Sequence, residues 1–222
     1  SQATSMGVHE SQSLFWENRV ARSYAFSERW WPRFAAAGAP VRSPMDLWRL
    51  INSFTTGLNR VEADELSYGV HILIRTDLEI ALLEQNLEVD ALPFEWNRLY
   101  EKFLGSTPKD DREGCLQDVH WSEGLFGYFP SYLLGHLISA QLAEAMNLDL
   151  KEQGFKGNDP IAKLISEGQE TKLLSWLRTN VHSCGRMVNA EELVGKISGK
   201  ELSSYAFISY LEAKLEHLGL CS

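Results

Sequence analysis

Three stretches of the chain carry side chains that could do chemistry. In the first, His9-Glu10-Ser11-Gln12-Ser13 sets a carboxylate beside an imidazole, just ahead of Leu14-Phe15-Trp16-Glu17-Asn18-Arg19. Glu10 can ligate a cation through a hard oxygen. It can act as a general acid or base, or sit in a helix first turn where the dipole favours negative charge. In the second, Asn59 to Tyr68, one arginine, Arg60, stands among Glu62, Asp64 and Glu65. By residue type alone this is a solvated helix start with weak local ion pairs. The third runs from Gly114 to Tyr132 and holds His120, Trp121, Tyr128 and Tyr132. A histidine beside a tryptophan is commonly a packing residue. An irregular, aromatic, glycine-punctuated stretch between helices is also where functional loops are found.

The elements around these stretches read as helices. From Gln12 to Trp31, aromatic and apolar residues mix with charges at helical spacing, and Pro32 marks a stop. Ser43-Pro44-Met45-Asp46 combines an N-cap, a proline at the first helical position and an acid three residues after the cap. The helix it opens ends near Gly57. Another amphipathic helix is expected from His71 to about Val89, and one from Pro93 to a stop at Gly105. Cys115 to Phe129 has no clean period and leaves room for a short strand. Pro130 opens a long helix, Asp159-Pro160 caps the next, and Glu170 to Cys184 forms another. Asn189-Ala190-Glu191-Glu192 has the form of a capping box, and the last helix runs from Ser204 to Leu218 before Gly219. The fold class is therefore mainly α, with at most a minor β element. No linker divides the chain.

Composition narrows the partners. The 222 residues are 44% hydrophobic with 7 Trp, 7 Tyr and 10 Phe, enough for a packed core. A net charge of -9 argues against nucleic acid, which requires a basic footprint. No apolar run approaches the roughly 20 residues that span a bilayer. The odd set Cys115, Cys184 and Cys221, without a Cys-x-x-Cys pair, suits reduced thiols in a cytosolic compartment. His71, His136, His182 and His217 read as structural residues.

The three stretches together resemble the carboxypeptidase Taq-type family of thermostable zinc metallocarboxypeptidases. The resemblance rests on His9-Glu10-Ser11-Gln12-Ser13 with Phe15-Trp16-Glu17-Asn18-Arg19-Val20, on Arg60 with Ala63-Asp64, and on Gly114, Gln117-Asp118 and His120-Trp121. Asn59 departs from the aliphatic residue the family has before the arginine. The resemblance runs the length of the chain but covers only the C-terminal part of the family. It implies a single metallocarboxypeptidase region over 1–222, half of an all-helical zincin-like cleft, in a cytoplasmic homodimer that acts on peptides with a free C-terminus. Glu10 would be the third protein ligand of the zinc, with other divalent metals open. Arg60 would hold the substrate carboxylate through two parallel charge-assisted bonds, a geometry lysine cannot copy. Asp64 would orient that arginine or a metal ligand. His120 and Tyr128 would stabilise the oxyanion of the transition state, with Tyr132 in reserve. These groups would line one cleft.

Two motifs of the family are missing, the N-terminal Asp-x-Arg-x-Thr motif and the zinc helix. The zinc helix H-E-x-x-H requires two histidines four residues apart, and no pair among the six here has that spacing. The chain thus resembles half of an active site, to be completed by an N-terminal half that bears H-E-x-x-H. Alone it would be inactive. The other reading is a non-catalytic structural or interaction subunit that kept the fold and lost its metal.

Overall fold

The computed structural model describes residues 5–84 and 86–220, so Cys221 lies outside the described residues. Ten α-helices account for most of the chain, and no strand occurs among the described residues. Cys115–Phe129, where the sequence left room for a short strand, is a run of successive turns, with repeated i→i+3 contacts. The chain separates into two compact units, one of Ser1–Asn52 with Leu134–Ser222 and the other of Ser53–Leu133. No described helix is long and apolar enough to cross a membrane.

The first unit begins with α1, Met6–Leu14, whose N-cap Ser5 accepts a hydrogen bond from the Val8 amide at 3.2 Å. It continues directly into a π-helix, Phe15–Ala21, a wider winding that proteins use sparingly. The expected single helix from Gln12 is thus three pieces, since α2 starts only at Tyr24 behind the cap Ser23. α2 runs to Ala36 straight through Pro32. Both Pro32 and Glu28, whose carbonyl loses its partner, are exposed, so water meets the freed group and the break is not forced. α3, Pro44–Ile51, starts as its cap signal predicts, with Ser43 accepting from the Asp46 amide at 3.1 Å.

The rest of this unit is α6, α7, α8, α9 and α10, spanning Phe129–Glu152, Pro160–Ser166, Glu170–Asn180, Ala190–Ser198 and Tyr205–Leu218. The first turn of α6 belongs to the second unit. Asp159 caps α7, and the capping box of Asn189 with Glu192 opens α9. The core gathers Phe15, Ile138, Leu142, Met146, Leu164 and Leu177, each almost wholly buried. At roughly 1.5–3 kcal/mol per large apolar side chain, this burial is what stabilises the unit.

The second unit packs α4, Glu65–Leu83, against α5, Leu92–Leu104. Ile74, Leu78, Trp96, Leu99 and Tyr100 form its core, with the Trp96 and Tyr100 rings stacked at 5.0 Å. α4 starts six residues earlier than the hydrophobic pattern suggests, because Asp64 caps it. Gly105 ends α5 at φ 72°, a conformation that costs glycine little.

One close approach in the first unit bears on Glu10. A Cβ on Gly135, inside α6, would lie 2.8 Å from the Glu10 Cβ and 3.1 Å from a Leu14 methyl. α1 therefore rests on α6 at a position where only hydrogen fits. Gly135→Ala should lower the urea midpoint, because overpacking that costs roughly 1–3 kcal/mol is offset only in part by the gain of up to about 1 kcal/mol in helix propensity. A stabilised variant in urea unfolding would mean that α1 is not held at this point.

Candidate functional site

Most of the residues singled out in the sequence lie in the second unit, and an ion cluster organises them. Arg60 sits in a 3-10 turn, Arg60–Glu62, just before α4. Its Nη2 donates to Asp118 at 2.5 Å and its Nε to the same oxygen at 3.0 Å. Arg75, from the middle of α4, donates through Nε to the other Asp118 oxygen at 2.7 Å. Side-chain exposure is 9% for Arg60 and Asp118 and zero for Arg75, so one buried carboxylate joins two buried cations. Burial alone would raise the Asp118 carboxyl, but the Arg60 hydrogen bond and the charges of Arg75 and Arg60 hold it below its ordinary value.

Neighbours complete the cluster. The Arg60 amide donates to the Gln117 side chain at 3.1 Å, and Gln117 in turn donates to the Leu58 carbonyl at 3.1 Å. Arg60 Nη1 donates to the Tyr68 hydroxyl at 3.3 Å. Arg75 Nη1 bonds the His71 carbonyl at 2.9 Å and the Tyr100 hydroxyl at 3.1 Å. Its guanidinium also lies 4.6 Å over the Trp96 ring, a favourable face for a desolvated cation.

His120 and the two tyrosines are neighbours in the second unit. The His120 ring is 5.5 Å from the Tyr128 ring and 4.3 Å from that of Phe129. Its Nε2 lies 3.1 Å from the Tyr132 hydroxyl, which brings the reserve candidate into direct contact. Nδ1 is 3.7 Å from Asp118, too far for a hydrogen bond. Burial pushes the imidazole below its ordinary value, more than Asp118 pulls it up, so it is neutral at pH 7.

Asp64 is placed otherwise than the resemblance implies. Its Oδ1 accepts from the Leu66 and Ser67 amides at 2.9 and 2.8 Å, and its Oδ2 from the Thr55 amide at 3.1 Å. Both oxygens serve the start of α4, and the residue that grips Arg60 is Asp118. An acid capping a helix and an acid holding an arginine look alike in sequence. The signal for Asp118 was its position two residues before His120, and for Arg75 there was none beyond a cation on an apolar helix.

Glu10 lies in α1 of the first unit. Among the described residues no group of three or more His, Cys, Asp or Glu is placed to hold a metal. A catalytic zinc takes about three protein ligands, and the described donors alone do not gather that many. A cavity of about 670 Å³ in the first unit, between the π-helix, α2 and α10, includes none of the predicted site residues. Cys115 and Cys184 are free thiols. His136, His182 and His217 make ring or side-chain contacts to Phe207, Gln12 and the Ala213 carbonyl.

Comparison with known proteins agrees with the motifs. Residues 1–215 match the model of the carboxypeptidase Taq (M32) metallopeptidase family. The chain belongs to that family. It is 41% identical over 216 residues to thermostable carboxypeptidase 1 of Thermus thermophilus, covering 96% of this chain and 40% of that protein. With carboxypeptidase 1 of Bacillus subtilis it shares 40% identity over 224 residues, covering 99% of this chain and 43% of the other. The crystal structure of the M32 carboxypeptidase of Deinococcus radiodurans superposes with a TM-score of 0.89 at 33% identity, over 98% of this chain and 43% of that one. The chain thus spans about two fifths of the length of these relatives.

The cluster makes stability depend on pH. His71 is fully buried, its Nδ1 bonded to Tyr100 at 3.0 Å, and burial with the Arg75 charge lowers it from 6.5 to about 4. Between those values the unfolded chain takes up a proton that the folded chain refuses, so stability falls as pH drops through that window. Asp118 adds its own loss at lower pH, as it must be protonated against two arginines. Urea midpoints measured from pH 7.5 to 4 should fall steadily, and His71→Asn should flatten the slope above pH 4. An unchanged slope would show that His71 is not the titrating group.

Proposed function

We propose that residues 1–222 act as one region, the C-terminal part of a zinc-dependent carboxypeptidase that releases terminal residues from peptides. The observation that carries this reading is the pair of guanidiniums on Asp118. The bonded triad has one positive charge more than negative, in a place where burying charge is costly. A peptide's terminal carboxylate is the anion such a cluster suits. With Nε and Nη2 turned to Asp118, Arg60 would meet that carboxylate through the edge formed by Nη1 and Nη2.

His120 and Tyr128 would donate to the carbonyl oxygen as charge builds on it; Tyr132 shares a hydrogen bond with His120, so that pair supplies one donor between them, from the imidazole or the phenol according to the tautomer. A neutral imidazole suits that role. Asp64 would act on Arg60 at one remove, by fixing the start of the helix that follows it. Glu10 would be the one metal ligand this chain supplies, with zinc the expected ion, other divalent ions competing, and the remaining ligands coming from an H-E-x-x-H segment outside these residues. A cytoplasmic location, supported by the free thiols, and a homodimer belong to the same reading.

The test joins this chain to an H-E-x-x-H segment of the family and compares peptides with free and amidated C-termini. The free form should be cleaved and the amide spared. Arg60→Lys should lower kcat/KM about 10–100-fold, from the loss of roughly 1.5–3 kcal/mol of charged hydrogen bonding. No release by the completed protein would leave the non-catalytic subunit as the answer. A calorimetric titration of the 222-residue chain alone should find no tight zinc site, whereas one-to-one binding with turnover would overturn the division of the ligands.

A further inference from the structure

We propose that Glu79 is a positioning residue, a single buried carboxylate that fastens both ends of the Trp121–Gly127 loop to α4 and so sets His120 and Tyr128. The inference rests on the reading that His120 and Tyr128 face the substrate. Glu79 lies inside α4 and is 4% exposed. One of its oxygens accepts from the Trp121 indole at 2.7 Å, and the other accepts from the Gly127 amide. The residues between these anchors, Ser122 to Phe126, are all exposed. Within the loop the Glu123, Gly124 and Leu125 amides bond back to the Val119, Trp121 and His120 carbonyls, so the turn is wound on itself and Glu79 ties its two ends to α4.

Each anchor is the chain neighbour of a site residue. His120 directly precedes Trp121, and Tyr128 directly follows Gly127. Gly127 adopts φ 76°, where a side chain would be strained, so the second anchor is a position that glycine suits. Bonds from neutral N–H groups to a carboxylate are stronger than neutral pairs, and burial strengthens them further. An ionised carboxylate accepts from both anchors at once. An amide offers a single acceptor oxygen, so glutamine can satisfy only one of them.

The test compares Glu79→Gln and Trp121→Phe in the purified chain. The second variant removes one anchor and leaves the buried carboxylate, which keeps the experiment informative if the first fails to fold. Hydrogen exchange is read across 122–128, and the His120 ring is titrated by NMR. Glu79→Gln should speed exchange at the Gly127 amide at least tenfold. Trp121→Phe, which keeps the Glu79 charge that raises His120, should speed exchange by less and return His120 toward its ordinary 6.5 as the ring loses packing under Tyr128. In Glu79→Gln the loss of that charge lowers the ring and opposes the shift, so the positioning readout is taken from Trp121→Phe.

Unchanged exchange would show that Glu79 does not hold the loop. Faster exchange with an unmoved His120 in Trp121→Phe would show a loop fastener with no positioning role. If both shift as expected but the wild-type chain binds free and amidated peptides equally, the carboxylate reading of Arg60 fails and takes the positioning role with it.

Discussion

Asp118 is the constraint on which the second unit depends. It comes from a stretch with no regular secondary structure, and it receives Arg60 from a short turn and Arg75 from the middle of α4. Taking three charges out of water costs several kcal/mol per ion, and such clusters are poor sources of net stability. What they do impose is position. Any other register of the 114–128 loop would leave two buried guanidiniums facing one another without an anion. Gln117, bonded to the Arg60 amide and the Leu58 carbonyl, locks the same pairing of loop and turn through neutral bonds. Cys115 and Trp121 tie the loop to the apolar core, and the charges fix where Asp118 sits between them.

The same burial separates the roles of the cations. His71 and His120 both sit close enough to the arginines to feel their charge, and desolvation is the largest influence on each. Both stay neutral where the guanidiniums cannot lose their protons. Positive charge is confined to planar groups that suit carboxylates, while the imidazole remains a donor without charge. Were His120 charged at neutral pH, it would compete with Arg60 for the same anion.

Much of the fold was legible in local signals. Ser43-Pro44, Asp159-Pro160, the Asn189–Glu192 box, Gly105 and Gly219 each mark the helix end that the structure has there. These signals act within four residues, so sequence shows them. The π-helix Phe15–Ala21 has no local mark in the sequence. Pro32 reads as a stop only if the freed carbonyl is buried, which the sequence cannot say. The two units were not legible because one boundary falls inside α6 and the first unit draws on both ends of the chain. No linker composition can mark such a cut. Of the site, the residue types were readable from the motif, whereas the acid that bonds Arg60 is Asp118, to which the sequence assigned no role. A carboxylate's partner is decided by which backbone amides or cations reach it in space.

Gly135 shows a further kind of constraint. Glycine within a helix costs up to about 1 kcal/mol relative to alanine, and α6 carries this one where the Glu10 Cβ leaves no room for another carbon. Glu10 is therefore placed by a steric contact at the root of its side chain, whereas Arg60 is placed by charge at its tip. The two mechanisms differ in what they leave for chemistry. A contact through Cβ occupies neither carboxylate oxygen, which suits a ligand that must offer its oxygens to a cation. A grip on one edge of a guanidinium orients the plane and leaves another edge for an anion. Each way of fixing the residue preserves the atoms that its proposed role requires.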